Sequence, residues 1–217
     1  MEFVRSGWSI KHVHRLMVLS STYQQSSFDR SASRQSDPEN RLLWRYPRRR
    51  LDFEAMRDTL LFVSGQLDTK LHGRPVDVAN DARNKRRTIY GWVDRQSLPA
   101  VFRAFDFASP DQSAERRPRT TVPQQALFSM NSQFVIEQAK ALAARSAIKD
   151  LPAEHSRIRV LYRMALARSP SEAEVNAASR FLASRNSASS QVPPTQPSRW
   201  EQLAQVLLMT NEFLFID

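Results

Sequence analysis

The chain has no cysteine in its 217 residues, which excludes disulfides, thiol nucleophiles, cysteine-ligated zinc and covalent haem attachment through Cys-x-x-Cys-His. Histidine is scarce too. His12 and His14 lie two apart, on different faces of a helix, and His72 and His155 are isolated, so no metal site and no cofactor are expected in this chain. No apolar run approaches the roughly 20 residues of a bilayer-spanning helix. The amino terminus, Met1-Glu-Phe-Val-Arg-Ser-Gly-Trp8, has neither the basic region nor the apolar region of an export signal, so the chain expressed alone is expected to stay cytoplasmic. Gly-x-Ser-x-Gly, His-Glu-x-x-His and phosphate-loop patterns are also missing, and no catalytic residue is assigned.

What is present is an ordinary globular balance of 41% apolar and 25% charged residues. The formal charge of +10 is spread along the chain, with +4 in residues 1–60, +4 in 61–120 and +2 in 121–217. Three clusters stand out: Arg48-Arg49-Arg50, Lys85-Arg86-Arg87, and Arg116-Arg117 with Arg119. Brought together they would form an anion-binding face; apart, they are solvated loop charges, the plainer reading.

Apolar spacing predicts helices over most of the length. Ser9 caps one running to about Tyr23, with Ile10, Val13, Leu16 and Met17 forming a buried stripe. Residues 24–37 read as an exposed loop, and Asp37-Pro38 opens a short helical turn. The clearest helix starts at Leu51-Asp52 and carries Phe53, Met56, Leu60, Val63 and Leu67 on one seam. Residues 76–87 read as a surface loop, and Thr88–Val93 as an extended run with one close backbone approach at Gly91. Pro99 and Pro123 sit in first turns, the second helix turning Ala126, Leu127 and Met130 inward. Ser132 caps a helix to about Arg145, Glu154–Arg168 forms another, and Ser171-Glu-Ala-Glu174 is a capping box. The expected fold is mainly α, an irregular multi-helix bundle with one short extended segment or small hairpin near 88–93. Residues 1–185 form a helical domain, 186–198 a flexible Ser/Pro-rich loop, and 199–217 a last helix and apolar tail docking on the same domain.

Polar candidates for a site are few. Asp52, Glu54 and Asp58 share a helix, and Asp52 with Arg57, or Asp94 with Arg95, are candidate polar elements of a pocket; helix capping and salt bridging are the simpler roles. Thr120, Thr121, Gln124, Gln125 and Asn131 gather uncharged hydrogen-bonding groups around a helix start, suited to an anion or a carbohydrate hydroxyl, with capping and buried polar structure as the alternative. Arg50 of the first basic cluster completes the set of binding candidates.

Several ordered blocks carry a family resemblance: Glu2-Phe-Val-Arg-Ser-Gly-Trp-Ser-Ile-Lys11 with His14-Arg15-Leu16, Ser21-Thr-Tyr-Gln-Gln25, Asp37-Pro-Glu-Asn-Arg-Leu-Leu-Trp-Arg45 and Arg49-Arg-Leu-Asp52. Then come Arg87-Thr-Ile-Tyr-Gly-Trp-Val-Asp-Arg-Gln-Ser-Leu-Pro99, Thr120-Thr-Val-Pro-Gln-Gln-Ala-Leu-Phe-Ser-Met-Asn-Ser132 and Asn211-Glu-Phe-Leu214. With these the chain resembles the planctomycete-type domain of unknown function 1553. The resemblance implies a carboxy-terminal module of large exported, periplasmic or cell-envelope proteins, often preceded by a cytochrome c segment and a companion domain, in genomes rich in polysaccharide-degrading genes. This chain begins inside the family's first helical block, so an amino-terminal truncation is expected. The implied role is a non-catalytic interaction or assembly module of a carbohydrate-related system, its partner a protein or the missing upstream domain, with carbohydrate a further candidate ligand. Two alternatives are a nucleic-acid-binding basic protein and a glycan-acting hydrolase using Asp52, Asp58 or Asp94.

Overall fold

Most start signals that precede apolar periodicity open helices; Asp37-Pro38, before Leu42, Leu43 and Trp44, opens turns only. The computed structural model describes residues 1–184 and 197–216, and among these there are twelve helices. Two short strands, Arg49–Arg50 (β1) and Phe215–Ile216 (β2), form a two-stranded ladder. The fold is mainly α. The expected loop at 186–198 lies almost wholly outside the described residues. The chain divides into two compact units, Met1–Arg49 with the chain end from Phe215, and Arg50–Leu214.

The first unit holds α1 (Glu2–Arg5), α2 (Ile10–Val18) and α3 (Ser31–Ser36). Gly7 and Trp8, both at positive φ, turn the chain between α1 and α2. Phe3 meets Trp8 edge to face at 5.2 Å, and Glu2 pairs with His12 at 2.9 Å. Ser9 caps α2, its hydroxyl accepting from the His12 N–H. The helix then stops at Val18, short of Tyr23: the Ser20 hydroxyl and the Gln24 amide donate to the Met17 and Val18 carbonyls, consuming the acceptors a further turn would need. The expected buried stripe is a correction, since α2 buries no residue and Ile10, Leu16 and Met17 are 50–62% exposed. Amphipathic spacing shows a face suited to burial; it does not supply the surface that buries it. Residues 31–36, expected as loop, are helical with nothing buried, and Arg34 reaches back to Asp29 at 3.0 Å. Asp37 organises the next turn, its carboxylate accepting from the Arg41 and Leu42 N–H groups. Those backbone donors, Leu42 foremost, hold its pKa below the ordinary carboxylate value.

The second unit begins with α4 (Phe53–Val63), whose Phe53, Met56, Leu60 and Val63 are buried as their spacing requires. It is shorter than predicted, ending at Ser64 and Gly65. After a loop, Thr88–Tyr90 makes one 3-10 turn, so the segment 88–93 is extended only in its second half, where Gly91 bridges Val76. The close approach read at Gly91 is real: a Cβ there would sit 2.6 Å from the Val78 side chain and 2.9 Å from the Thr88 carbonyl oxygen. Next come α5 (Ala100–Ala104), α6 (Pro123–Asn131), α7 (Gln133–Ala143), α8 (Ser146–Lys149), α9 (Glu154–Leu166), α10 (Glu172–Ala183), α11 (Arg199–Leu208) and α12 (Asn211–Leu214). Packing of α7 on α11, and of α9 on α8, α10, α11 and α12, makes the main core. Leu142, Ile148, Ile158, Leu161, Val175 and Ala204 are fully buried there, each large aliphatic contributing about 1.5–3 kcal/mol of burial. Phe213 and Leu214 of the tail are buried as well. A second correction concerns α6: Gln125 and Ser129 face in, while Ala126, Leu127 and Met130 are exposed. The Gln125 amide donates to the Ala104 and Thr120 carbonyls, which an apolar side chain there could not satisfy.

Helix α9 ends at Ala167 in the left-handed region, and the next residue ties three helices together. Arg168 donates to both oxygens of Glu174, at 2.7 and 2.9 Å, and to Glu212 of α12. Glu174 also closes the capping box of α10, accepting from the Ser171 N–H at 2.7 Å. Arg168 foremost, then the Ser171 N–H, hold the Glu174 pKa at about 2 against an ordinary 4.5. A depressed carboxylate contributes stability that is present above pH 4.5 and is lost as pH falls toward 2. Glu174→Gln should therefore cost on the order of 1 kcal/mol at neutral pH and flatten the stability profile between pH 4.5 and 2; denaturant titrations across that range check both effects.

Candidate functional site

The apolar seam of α4 includes a charged residue. Arg57 stands four residues after Phe53 and three before Leu60, so helical geometry turns it inward, and it is 1% exposed. Its Nη1 donates to the Arg86 carbonyl at 2.8 Å and to Thr88 Oγ1 at 3.2 Å, its Nη2 to the Asn84 carbonyl at 2.5 Å. The guanidinium carbon lies 5.0 Å from the Phe134 ring centroid. Burial pulls the Arg57 pKa down, opposed by the nearby charges of Asp58 and Asp81. Asp58 continues the attachment, its Oδ1 accepting from the Thr88 N–H and hydroxyl, both at 2.7 Å. Together the two residues fix the 84–91 loop against α4.

That attachment opens a cleft of about 430 Å³ beside α4. Glu54 and Asp58, one helical turn apart, line one side. Arg117 Nη1 donates to both Glu54 oxygens at 2.9 and 3.1 Å while its guanidinium stacks 4.7 Å over Phe107. Arg87 Nε lies 3.6 Å from Asp58 Oδ2. Ile89, Gly91, Val93, Phe107 and the buried Phe102 also line it. Phe102 stacks on Phe107 at 4.8 Å and belongs to an aromatic cluster with Phe53, Phe105 and Phe128. The site is thus a mixed-charge cleft with an apolar wall.

A second group of candidates meets elsewhere. Arg50 donates to the Gln125 side-chain oxygen and lies 5.3 Å over Phe105; burial lowers its pKa, with Asp106 opposing. The Gln125 amide donates to the Ala104 and Thr120 carbonyls, and Thr120 donates from its N–H and hydroxyl to Asp106. Asp52, at the N-cap of α4, also borders this knot, whose enclosed space is only about 20 Å³, room for one water. Thr121, Gln124 and Asn131 are exposed. Asp94 accepts from the Gln96 N–H, and Arg95 faces Asp111 at 3.4 Å. Of the nine binding candidates, the fold therefore gathers Arg50, Asp52 and Thr120, sets Arg57 in the core, and leaves Asp94, Arg95, Thr121, Gln124 and Asn131 apart. Reasoning from sequence missed Arg87 and Arg117 as partners of Asp58 and Glu54; the i, i+4 spacing of the two acids was the one available signal.

The basic clusters are largely engaged. Arg49 donates to the Tyr46 hydroxyl, Arg86 to the Lys70 and His72 carbonyls while stacking on Tyr90, and Arg87 and Arg117 pair with acids. Among the described residues no group of His, Asp and Glu could hold a metal ion, and no helix is long and apolar enough to cross a membrane.

The fold and site define a mainly helical protein with a mixed-charge cleft held by a buried arginine. The chain belongs to the PSD1 family, described as a protein of unknown function (DUF1553), which matches residues 1–182. No curated protein and no solved structure matches it.

Because the Arg57 clamp positions the cleft wall, Arg57→Met, which keeps bulk and removes the donors, should cost about 2–4 kcal/mol. Denaturant unfolding measures the loss, and hydrogen exchange should show the Thr88 amide losing protection before the α7–α11 core.

Proposed function

We propose that this chain is a non-catalytic interaction module of an exported, carbohydrate-related protein system, and that α1 and α2 are its docking surface for a protein partner. The observation that carries the reading is the exposed apolar surface of these two helices: Val4, Trp8, Ile10, Leu16, Met17 and Leu19 are 50–67% exposed, and neither helix buries a residue. Isolated helices shorter than about 12–15 residues are marginal in water and draw their stability from packing an apolar face. The nine residues of α2 have such a face, and a partner's apolar surface would supply the packing. Lys11 and Arg15 lie on its opposite side at exposed positions, which favours a partner with an acidic rim.

The double substitution Leu16→Asp, Met17→Asp tests this. Both side chains are exposed, so each change should alter stability by no more than about 0.5 kcal/mol. Affinity capture from cell-envelope fractions, with cross-link mapping, should recover a partner whose cross-links fall on α1 or α2 and which the variant loses. Recovery of no partner, or equal recovery by the variant, would overturn the reading.

A further inference from the structure

The cleft beside α4 has a charge pattern that selects a class of ligand, independently of the α2 surface. Its acids and bases cancel pairwise: Glu54 against Arg117 at 2.9 Å and Asp58 against Arg87 at 3.6 Å. The lining holds two carboxylates and the Arg87 guanidinium, and Arg117 neutralises Glu54 from behind the lining, so a net charge of either sign gains little from the wall. What the pairs leave over is hydrogen-bonding capacity. A carboxylate offers about four acceptor sites and a guanidinium five donors, and these contacts use only some of each. Acceptors and donors therefore stand side by side at the cleft, an arrangement that a hydroxyl, both donor and acceptor, can satisfy.

The rest of the lining is largely apolar, with Ile89, Val93 and Phe107 in it and Ile89 74% exposed. A ring carrying hydroxyls on its edge and C–H groups on its face matches both kinds of lining residue at once. The volume of about 430 Å³ falls at the lower end of small-ligand pockets, about 300–1,000 Å³.

We infer that this cleft binds a neutral hydroxylated ring of the pyranose type, with Glu54, Asp58 and Arg87 addressing the hydroxyls and Ile89, Val93 and Phe107 covering the C–H face. The test uses the full chain with isotopically labelled Ile and Val methyls, titrated with the methyl glycosides of glucose, galactose, xylose and fucose, and in parallel with inorganic sulfate and spermidine. At least one glycoside should shift the Ile89 and Val93 methyls at millimolar concentration while sulfate and spermidine do not. Glu54→Gln and Ile89→Ala should each weaken that binding roughly tenfold, with the fold intact by thermal melting; Ile89→Ala keeps the test valid should Glu54→Gln perturb the Arg117 loop. Absence of a shift from every glycoside, a preference for sulfate or spermidine, or affinity untouched by Ile89→Ala would overturn the assignment. Loss of the α2 partner would leave this result unchanged, so the two readings fail separately.

Discussion

The architecture around the cleft depends on one buried cation. Arg57 sits where an aliphatic residue would complete the α4 seam, and a guanidinium left unpaired there would cost several kcal/mol. It is accommodated because the loop at 84–88 turns two carbonyls and a hydroxyl toward it. Dependence runs both ways. The loop has no long strand or helix of its own, so its backbone is held by Arg57 from inside and by Asp58 at Thr88, and without those bonds the cleft would lose a wall.

The same economy accounts for much of the arginine content. Among the described residues, nine arginines lie with their guanidinium carbons 4.0–6.0 Å from an aromatic ring centroid, where roughly one strong cation–π contact per 70–80 residues is usual. A chain with four glycines and no cysteine has neither disulfides nor many close backbone approaches with which to fix long loops. Arginine does that work here, since one planar side chain can stack on a ring and bond carbonyls at its edge. The charge of +10 is in good part a by-product of how the loops are held, and is weaker support for a polyanionic partner than its magnitude suggests.

Where apolar spacing was strong and continuous, sequence was enough: Phe134, Val135, Ala139, Leu142 and Ala143 of α7, and Ile158, Leu161, Tyr162 and Ala165 of α9, are buried as their periodicity demands. The capping box at Ser171 formed because its two reciprocal bonds are local. What was illegible depends on distant partners. Nothing near Gln125 in sequence says that Arg50, Ala104 and Thr120 will satisfy its amide. The cleft pairs likewise join residues 63 apart for Glu54 and Arg117 and about 30 apart for Asp58 and its loop. Spacing within a helix placed both acids on one flank, but it could not show which loop would face them.

The departures from pattern sort into two kinds. Inward polar residues, Arg57 through both Nη groups and Gln125 through its amide, bond backbone carbonyls and brace loops, while the buried Arg57 Nε has no hydrogen-bond partner. Outward apolar residues are more numerous, among them those of α2, Ile89 at the cleft, and Leu127 and Met130 of α6. Sequences that fold well keep local and global preferences consistent, and exceptions concentrate where function demands them. An inverted polar residue that has found partners is explained by the fold; single outward apolar residues are ordinary, and only their gathering on a short helix that buries nothing, or in a cleft, points to something the protein meets. That asymmetry is why binding is assigned to α2 and to the cleft, and structural roles to Arg57 and Gln125, although Arg57 with its charge was the more obvious binding candidate in the sequence.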